Sequence, residues 1–347
     1  MHFFFLLILS YNTLLMKKSK ARVAVIGGGS WATAIAKMLL ENEESINWYL
    51  RSDENIKKFK QLHHNPGYLS TVFFETNRIH FSSDLNEIVK ASDILIFAVP
   101  SPFLKSHLEK LSIPLSDKIV ISAIKGIVPD ENMVMGEYFE KFYNVPEDNF
   151  AVIAGPCHAE EIGMERLSYI TIGCTNRETA RSLSQMFQCR YVNTSITDDA
   201  YGAEYSAVMK NVIALACGIC HGLKFGDNFQ AVLVSNGIQE IERFLEAVNP
   251  KTRDTKGSVY LGDLMVTAYS QFSRNRTFGT MIGRGYSVKN AMMEMIMIAE
   301  GYYGVKCIKE MNEEYNVVMP ITESVYNIIY ERISPAIEMK ILTDHLR

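Results

Sequence analysis

Cysteine is scarce in this chain: six residues in 347 cannot form a disulfide scaffold, so they read as thiols of a reducing compartment, the cytoplasm. An excess of basic charge is also missing. Lys and Arg number 35 against 39 for Asp and Glu, for a net charge of -4, which excludes an overall positive field that would attract nucleic acid or anionic lipid. The eight histidines show no H-E-x-x-H or comparable spacing, so no metal is expected. With 21 Gly and 10 Pro, collagen-like and low-complexity compositions are excluded as well. Internal repeats are not evident. Two exceptions read as ordinary structure. Cys217 and Cys220 form a C-x-x-C, but it follows the apolar run Val212-Ile213-Ala214-Leu215-Ala216 and reads as packing. His63-His64 reads as loop surface.

What the chain does have is length, about twice a ~150-residue domain, so two domains are expected. Its apolar start, residues 2–15, resembles the core of an export signal. The basic residues Lys17, Lys18 and Lys20 follow that run instead of preceding it, however, and no small-residue cleavage site appears. Residues 1–20 therefore read as an extension, with Met16 the expected start. A membrane anchor is the alternative, but about 14 residues fall short of the ~20 needed to span, and no stable membrane insertion is expected.

From residue 21 to about 200, short apolar runs alternate with amphipathic stretches, the pattern of βαβ units and a mostly parallel, doubly wound sheet. Strands are expected at 22–26, 46–50, 94–98, 119–123, 151–154 and 169–173. Those at 22, 94, 119 and 151 are continuously apolar, as strands covered on both faces must be. From 201 to 347 the helical period takes over. The fold class is thus α/β, a Rossmann-type domain followed by an all-α domain.

The first strand runs into Gly27-Gly28-Gly29-Ser30-Trp31-Ala32 and then a helical pattern, a G-x-G-x-x-A in its proper context. Gly27 allows the tight turn, Gly29 lets backbone approach a pyrophosphate, and Ala32 keeps helix and sheet close. The second strand should end in an acid for the ribose of NAD, but Arg51-Ser52 stands there. Arg51 suits a 2′-phosphate, which favours NADP over NAD, while Asp53 two residues on could still serve NAD.

Single charges interrupt segments that otherwise read as buried. Lys125 follows the strand at 119–123, at the sheet edge where open α/β sheets bind ligands. Lys210 faces Ala214, Cys217, Gly218 and His221 at helical spacing, and a cation among small, apolar groups loses basicity until it can exchange a proton near neutral pH. Asp263 lies in Tyr260-Leu261-Gly262-Asp263-Leu264-Met265-Val266 and could pair with a lysine or cap a helix. Ser273-Arg274-Asn275-Arg276 concentrates two guanidinium forks and two neutral hydrogen-bonding groups, which suits a phosphate. Gly155-Pro156-Cys157-His158-Ala159 places another turn on the presumed ligand edge.

Together with Ala98-Val99-Pro100-Ser101, Lys125-Gly126, Met209-Lys210-Asn211-Val212, 222–228, Leu261-Gly262-Asp263-Leu264, 273–279 and Ala299-Glu300-Gly301, these motifs carry a resemblance. In this order the chain resembles the bacterial NAD(P)-dependent glycerol-3-phosphate dehydrogenases, which reduce dihydroxyacetone phosphate to sn-glycerol 3-phosphate for phospholipid synthesis. The resemblance implies a homodimer with the site between the two domains. It makes Lys210 the general acid/base, Lys125 a second cation, and Asp263 a support for Lys210 and the substrate hydroxyls. Gly155, Cys157, Ser273, Arg274 and Asn275 would contact substrate, together with Lys125, Lys210 and Asp263. Gly27, Gly29, Ser30, Trp31, Ala32, Arg51, Lys125, Ala159, Arg274 and Glu300 would contact the dinucleotide. The chain departs from the family where Gly is commonly found at Ala32, Ser at Cys157, and a small-residue run at 256–260. The competing readings are another two-domain dehydrogenase acting on a hydroxy acid or sugar nucleotide, and a catalytically silent dinucleotide sensor.

Overall fold

The computed structural model describes residues 22–347; the apolar start and the expected origin at Met16 lie outside the described residues. Eight strands form one sheet: β1 (Val23–Ile26), β2 (Ile46–Tyr49), β3 (Ile79–Ser82), β4 (Ile94–Phe97), β5 (Ile119–Ser122), β6 (Phe150–Ala154), β7 (Ser168–Gly173) and β8 (Val192–Thr197). Their spatial order is β3-β2-β1-β4-β5-β6-β7-β8. All neighbours run parallel except β6 and β7, which are antiparallel. Chain order reverses between β1 and β4, and at such a switch point the loops leaving the strands part and open a crevice.

The sequence reading did not anticipate β3 and β8, and both are edge strands. β3 alternates buried Ile79 and Phe81 with exposed His80, while β8 reads Val-Asn-Thr-Ser-Ile-Thr with only Val192 buried. A half-covered edge strand keeps a period of two but loses the apolar run that marks a central one.

Beneath β2, Trp48 is fully buried among Phe59, Phe74 and Phe81, its ring 5.2, 5.6 and 5.8 Å from theirs. Its indole N–H donates to the Gly27 carbonyl at 2.7 Å, so the core of the sheet holds the glycine turn. Gly27 has φ +132°, and a Cβ there would lie 2.4 Å from the Ala98 carbonyl oxygen. Only glycine permits that approach.

The sheet ends at Thr197, and helix Ala200–Gly222 begins at once. It is long and apolar enough to cross a membrane, yet its apolar window is wholly buried inside the protein, which makes it the central helix of the second region. Helices 227–248, 263–269, 274–283, 300–315 and 320–329 surround it. Asp199 caps it, accepting from the Gly202 N–H, and also binds Arg253 and the Tyr260 hydroxyl. Tyr260 sits in a single π-helical turn, Ser258–Gly262, which runs straight into Asp263. One buried carboxylate thereby fixes the start of the Lys210 helix relative to the turn that presents Asp263. All six cysteines are free, and among the described residues no cluster of metal donors occurs.

Candidate active site

A cleft of about 650 Å³ opens where the glycine loop, the ends of β4 to β6 and the helical region meet. Its floor is ionic. Lys210 is 2% exposed and Asp263 1%, and the Lys210 ammonium contacts Asp263 Oδ1. Lys125 approaches the other carboxylate oxygen at 3.3 Å and also donates to the Gly155 carbonyl at 3.1 Å, with Cys157 Sγ 3.6 Å away. The Asn211 amide, next along the helix from Lys210, donates to the Lys125 carbonyl at 2.8 Å. The two lysines therefore share one anion, and the residue after Lys210 holds the main chain at Lys125.

The consequences for basicity are unequal. Burial is the largest influence on Lys210; Asp263 opposes it and the Lys125 charge reinforces it, which brings the ammonium down to about 8. Burial also disfavours the charged form of Lys125, but Asp263 and the groups around it outweigh that cost and raise its pKa. For Asp263, burial is outweighed by the two cations and the carboxyl falls below its ordinary range. Burial raises the Cys157 thiol, so it faces Lys125 as a neutral S–H that donates to the Gly155 carbonyl at 3.1 Å. At neutral pH the floor thus holds a firmly charged Lys125, a carboxylate, and a Lys210 poised to exchange a proton.

At one end of the cleft lie Gly27, Gly29, Ser30, Trp31 and Ala159. Gly29 precedes helix Ser30–Asn42 with no side chain capping it, and a Cβ there would meet nothing within 4 Å, so free amides face open space. That arrangement fits a pyrophosphate. Trp31 has its Nε1 buried without a partner, and the Lys125 ammonium sits 6.0 Å from its ring centre. Ala32, by contrast, is fully buried in the sheet-side core and is not among the residues lining the cleft. Arg51 is exposed at the mouth, with Asn55 and Lys58, whereas the Asp53 carboxylate is engaged by Ser83 Oγ at 2.6 Å. The groups present fit a dinucleotide, and the mouth is basic.

Ser273, Arg274 and Asn275 also line the cleft, and Arg274 Nη1 and Ser30 Oγ both reach Met297 Sδ, each at 4.0 Å. Ser273 caps helix Arg274–Gly283. The Asn275 side-chain amide oxygen accepts from the Gly301 N–H at 2.8 Å. Glu300, at the start of helix Glu300–Tyr315, accepts from the N–H and hydroxyl of Ser101 at 2.9 and 2.6 Å. Burial raises its pKa against the opposing pull of Ser101. Glu300 is thus tied to the end of the sheet as well as lining the cleft.

The sequence reading did not single out Asn211 or His158 as site residues. Asn211 adjoins a lysine in a helix that otherwise reads as core, and its partner, a main-chain carbonyl 86 residues away, leaves no local trace. His158 stands in a turn motif, and only the folded chain places it on the cleft wall.

The chain is similar to known proteins over nearly its whole length. Residues 22–180 match the family model described as NAD-dependent glycerol-3-phosphate dehydrogenase N-terminus, and residues 199–340 match the corresponding C-terminus. A glycerol-3-phosphate dehydrogenase [NAD(P)+] of Agathobacter rectalis is 34% identical over 312 residues, covering 90% of this chain and 92% of the relative. One from Exiguobacterium is 34% identical over 322 residues, covering 92% and 94%. The crystal structure of glycerol-3-phosphate dehydrogenase from Coxiella burnetii superposes with a TM-score of 0.86 at 25% identity, covering 93% of this chain and 99% of that one.

Proposed function

The chain belongs to the NAD-dependent glycerol-3-phosphate dehydrogenase family and is an NAD(P)-dependent oxidoreductase that reduces dihydroxyacetone phosphate to sn-glycerol 3-phosphate; on that premise we propose that Lys210 is its general acid and base. The observation that carries the reading is the buried Lys210–Asp263–Lys125 cluster in a cleft that the free helix amides and Ser273, Arg274 and Asn275 also line. Gly27, Gly29, Ser30, Trp31, Ala159, Arg274 and Glu300 hold the dinucleotide, Arg51 takes a 2′-phosphate, and Ala32 serves by keeping the helix close to the sheet. The bound nicotinamide supplies the hydride to the substrate's C2.

Ser273, Arg274 and Asn275 fix the phosphate end, with guanidinium donors matched to phosphate oxygens. Lys210 gives its proton to the oxygen that becomes the C2 hydroxyl, while Lys125 stabilises negative charge as it develops there. Asp263 holds both ammonium groups in place. Gly155 orients Lys125 through its carbonyl, which also takes the one S–H of Cys157, so Cys157 offers substrate less than a hydroxyl would. In this reading residues 21–200 bind the dinucleotide and residues 201–347 supply most of the substrate wall. The protein works in the cytoplasm as a homodimer, its product entering glycerophospholipid synthesis.

The test is oxidation of NADPH or NADH, followed by absorbance, with dihydroxyacetone phosphate and protein beginning at Met16. Turnover is expected with either nucleotide. Folded, nucleotide-binding protein that oxidises neither would overturn the reading. The same assay checks Arg51. Arg51→Ala removes one charge-assisted contact at an exposed site, so kcat/KM for NADPH should fall about tenfold while that for NADH changes less than about twofold. Equal changes for both nucleotides would show that Arg51 does not read the 2′-phosphate.

A further inference from the structure

Three successive carbonyls of the glycine loop are each held by a side chain from a different element. The Trp48 indole on β2 donates to the Gly27 carbonyl, the Asn65 amide donates to the Gly28 carbonyl at 3.1 Å, and the Thr33 hydroxyl donates to the Gly29 carbonyl at 2.9 Å. In a trans peptide a carbonyl and the N–H that follows it point to opposite sides, so tying these oxygens turns the N–H groups of Gly28, Gly29 and Ser30 the other way. Asn65 comes from the loop between helix Asp53–Leu62 and β3. It is 4% exposed, and both of its side-chain polar atoms are engaged. Nδ2 donates also to Thr33 Oγ1 at 2.7 Å, and Oδ1 accepts from the Gly67 N–H at 2.9 Å, closing an Asx turn across Pro66.

We infer that Asn65 is a positioning residue for the dinucleotide, holding the Gly28–Gly29 peptide in the orientation that offers its N–H to the pyrophosphate. The inference rests on the reading of the glycine loop as the pyrophosphate site. The Gly28–Gly29 peptide lies between two residues without a Cβ, whose backbone is the freest in the chain. Unrestrained, it can turn over and present a carbonyl oxygen where an anion must sit. Asn65 closes off that alternative by binding the oxygen on the far side. Its second donation, to Thr33, joins the same bond network to the first turn of helix Ser30–Asn42, so loop and helix amides are set as one unit. Through Gly67 it also fixes a turn whose Pro66, Gly67 and Tyr68 line the same cleft. A site arranged before the ligand arrives spends less binding energy on ordering itself. The contribution is common to NADPH and NADH, because both carry the pyrophosphate and differ only at the ribose 2′ position.

The experiment compares the unsubstituted enzyme with Asn65→Leu, which keeps the branched shape of the side chain and removes its polar atoms. KM should rise by the same factor for NADPH and NADH, about tenfold, while kcat stays within about twofold and KM for dihydroxyacetone phosphate is unaltered. Two inhibitors competing with NADPH separate positioning from a general loosening of the cleft. The first, 2′-phospho-ADP-ribose, carries the pyrophosphate and should bind the variant about tenfold more weakly. The second, adenosine 2′-monophosphate, has no 5′-phosphate and should bind as before. Unchanged nucleotide KM values, or equal weakening of both inhibitors, overturn the inference. If circular dichroism shows that the leucine variant has not folded, the same comparison is read in Thr33→Val, which can neither accept from Asn65 nor donate to Gly29 and should give the same split between the inhibitors. An unsubstituted enzyme that binds neither NADPH nor 2′-phospho-ADP-ribose would instead overturn the reading of the glycine loop, so the two failures are distinct.

Discussion

Replacing Lys210 by Met is expected to lower kcat for dihydroxyacetone phosphate reduction by about a thousandfold, within the range for removing a positioned general acid, and to leave NADPH binding intact. Met fills much of the volume of the lysine stem without its charge. The variant should fold, because Asp263 keeps Lys125 as a counter-ion at 3.3 Å and is not left as an uncompensated buried carboxylate, a loss that would cost about 3–5 kcal/mol. Steady-state kinetics combined with nucleotide fluorescence separates the two effects. Retained turnover in a variant that binds NADPH would sink the assignment of Lys210.

The pH dependence gives an independent sign. Reduction consumes the ammonium form, so its rate should fall as pH rises through about 8, the value to which burial and Lys125 bring Lys210. Oxidation of sn-glycerol 3-phosphate needs the neutral amine and should rise over the same interval. Asp263 is the influence that raises Lys210 against burial, so Asp263→Asn should move both midpoints toward acid. Midpoints unchanged by that substitution would mean the titrating group is elsewhere.

How much of this was legible beforehand depended on whether a residue broke its local pattern. Lys125, Lys210 and Asp263 stood out because each is a lone charge in an apolar segment, and a buried charge needs a partner. Their meeting at one carboxylate is a tertiary fact; Lys125 and Asp263 are 138 residues apart. The central strands were legible as apolar runs, to within a residue or two at their ends. β3 and β8 were not, because an edge strand shows polar residues wherever it meets solvent. Nor does any local signal mark β7 as antiparallel to β6, since strand direction is set by the connection and leaves the side-chain period unchanged. His158 and Asn211 break no pattern at all: one lies in a turn and the other beside a charge, and only their distant partners, the main chain at Val266 and at Lys125, set them apart.

The spacing between Lys210 and the Ser273–Arg274–Asn275 segment rests on a contact between two helix backbones, and breaking it should be the most damaging change outside the cleft. Gly218 and Gly222 of helix Ala200–Gly222 face Gly279 and Gly283 of helix Arg274–Gly283. A Cβ on Gly279 would lie 2.1 Å from the Leu215 carbonyl oxygen and 3.0 Å from the Ile219 nitrogen. Both obstacles are backbone atoms inside a helix, so no rotamer change can relieve them and the helices must separate. Overpacking of a core commonly costs about 1–3 kcal/mol, and a backbone clash belongs at or above the top of that range. At about 2–4 °C per kcal/mol for domains of 150–250 residues, Gly279→Ala should lower Tm by roughly 10 °C. It should also raise KM for dihydroxyacetone phosphate, because Ser273, Arg274 and Asn275 ride on the displaced helix while Lys210 stays on the other. Gly226→Ala is the control: its Cβ would meet nothing within 4 Å, and Tm should move by only about 1–2 °C, the small cost of losing glycine at a helix cap. A Gly279→Ala protein that melts with the unsubstituted enzyme would show that these helices have room to spare, and the spacing of the site would then need another cause.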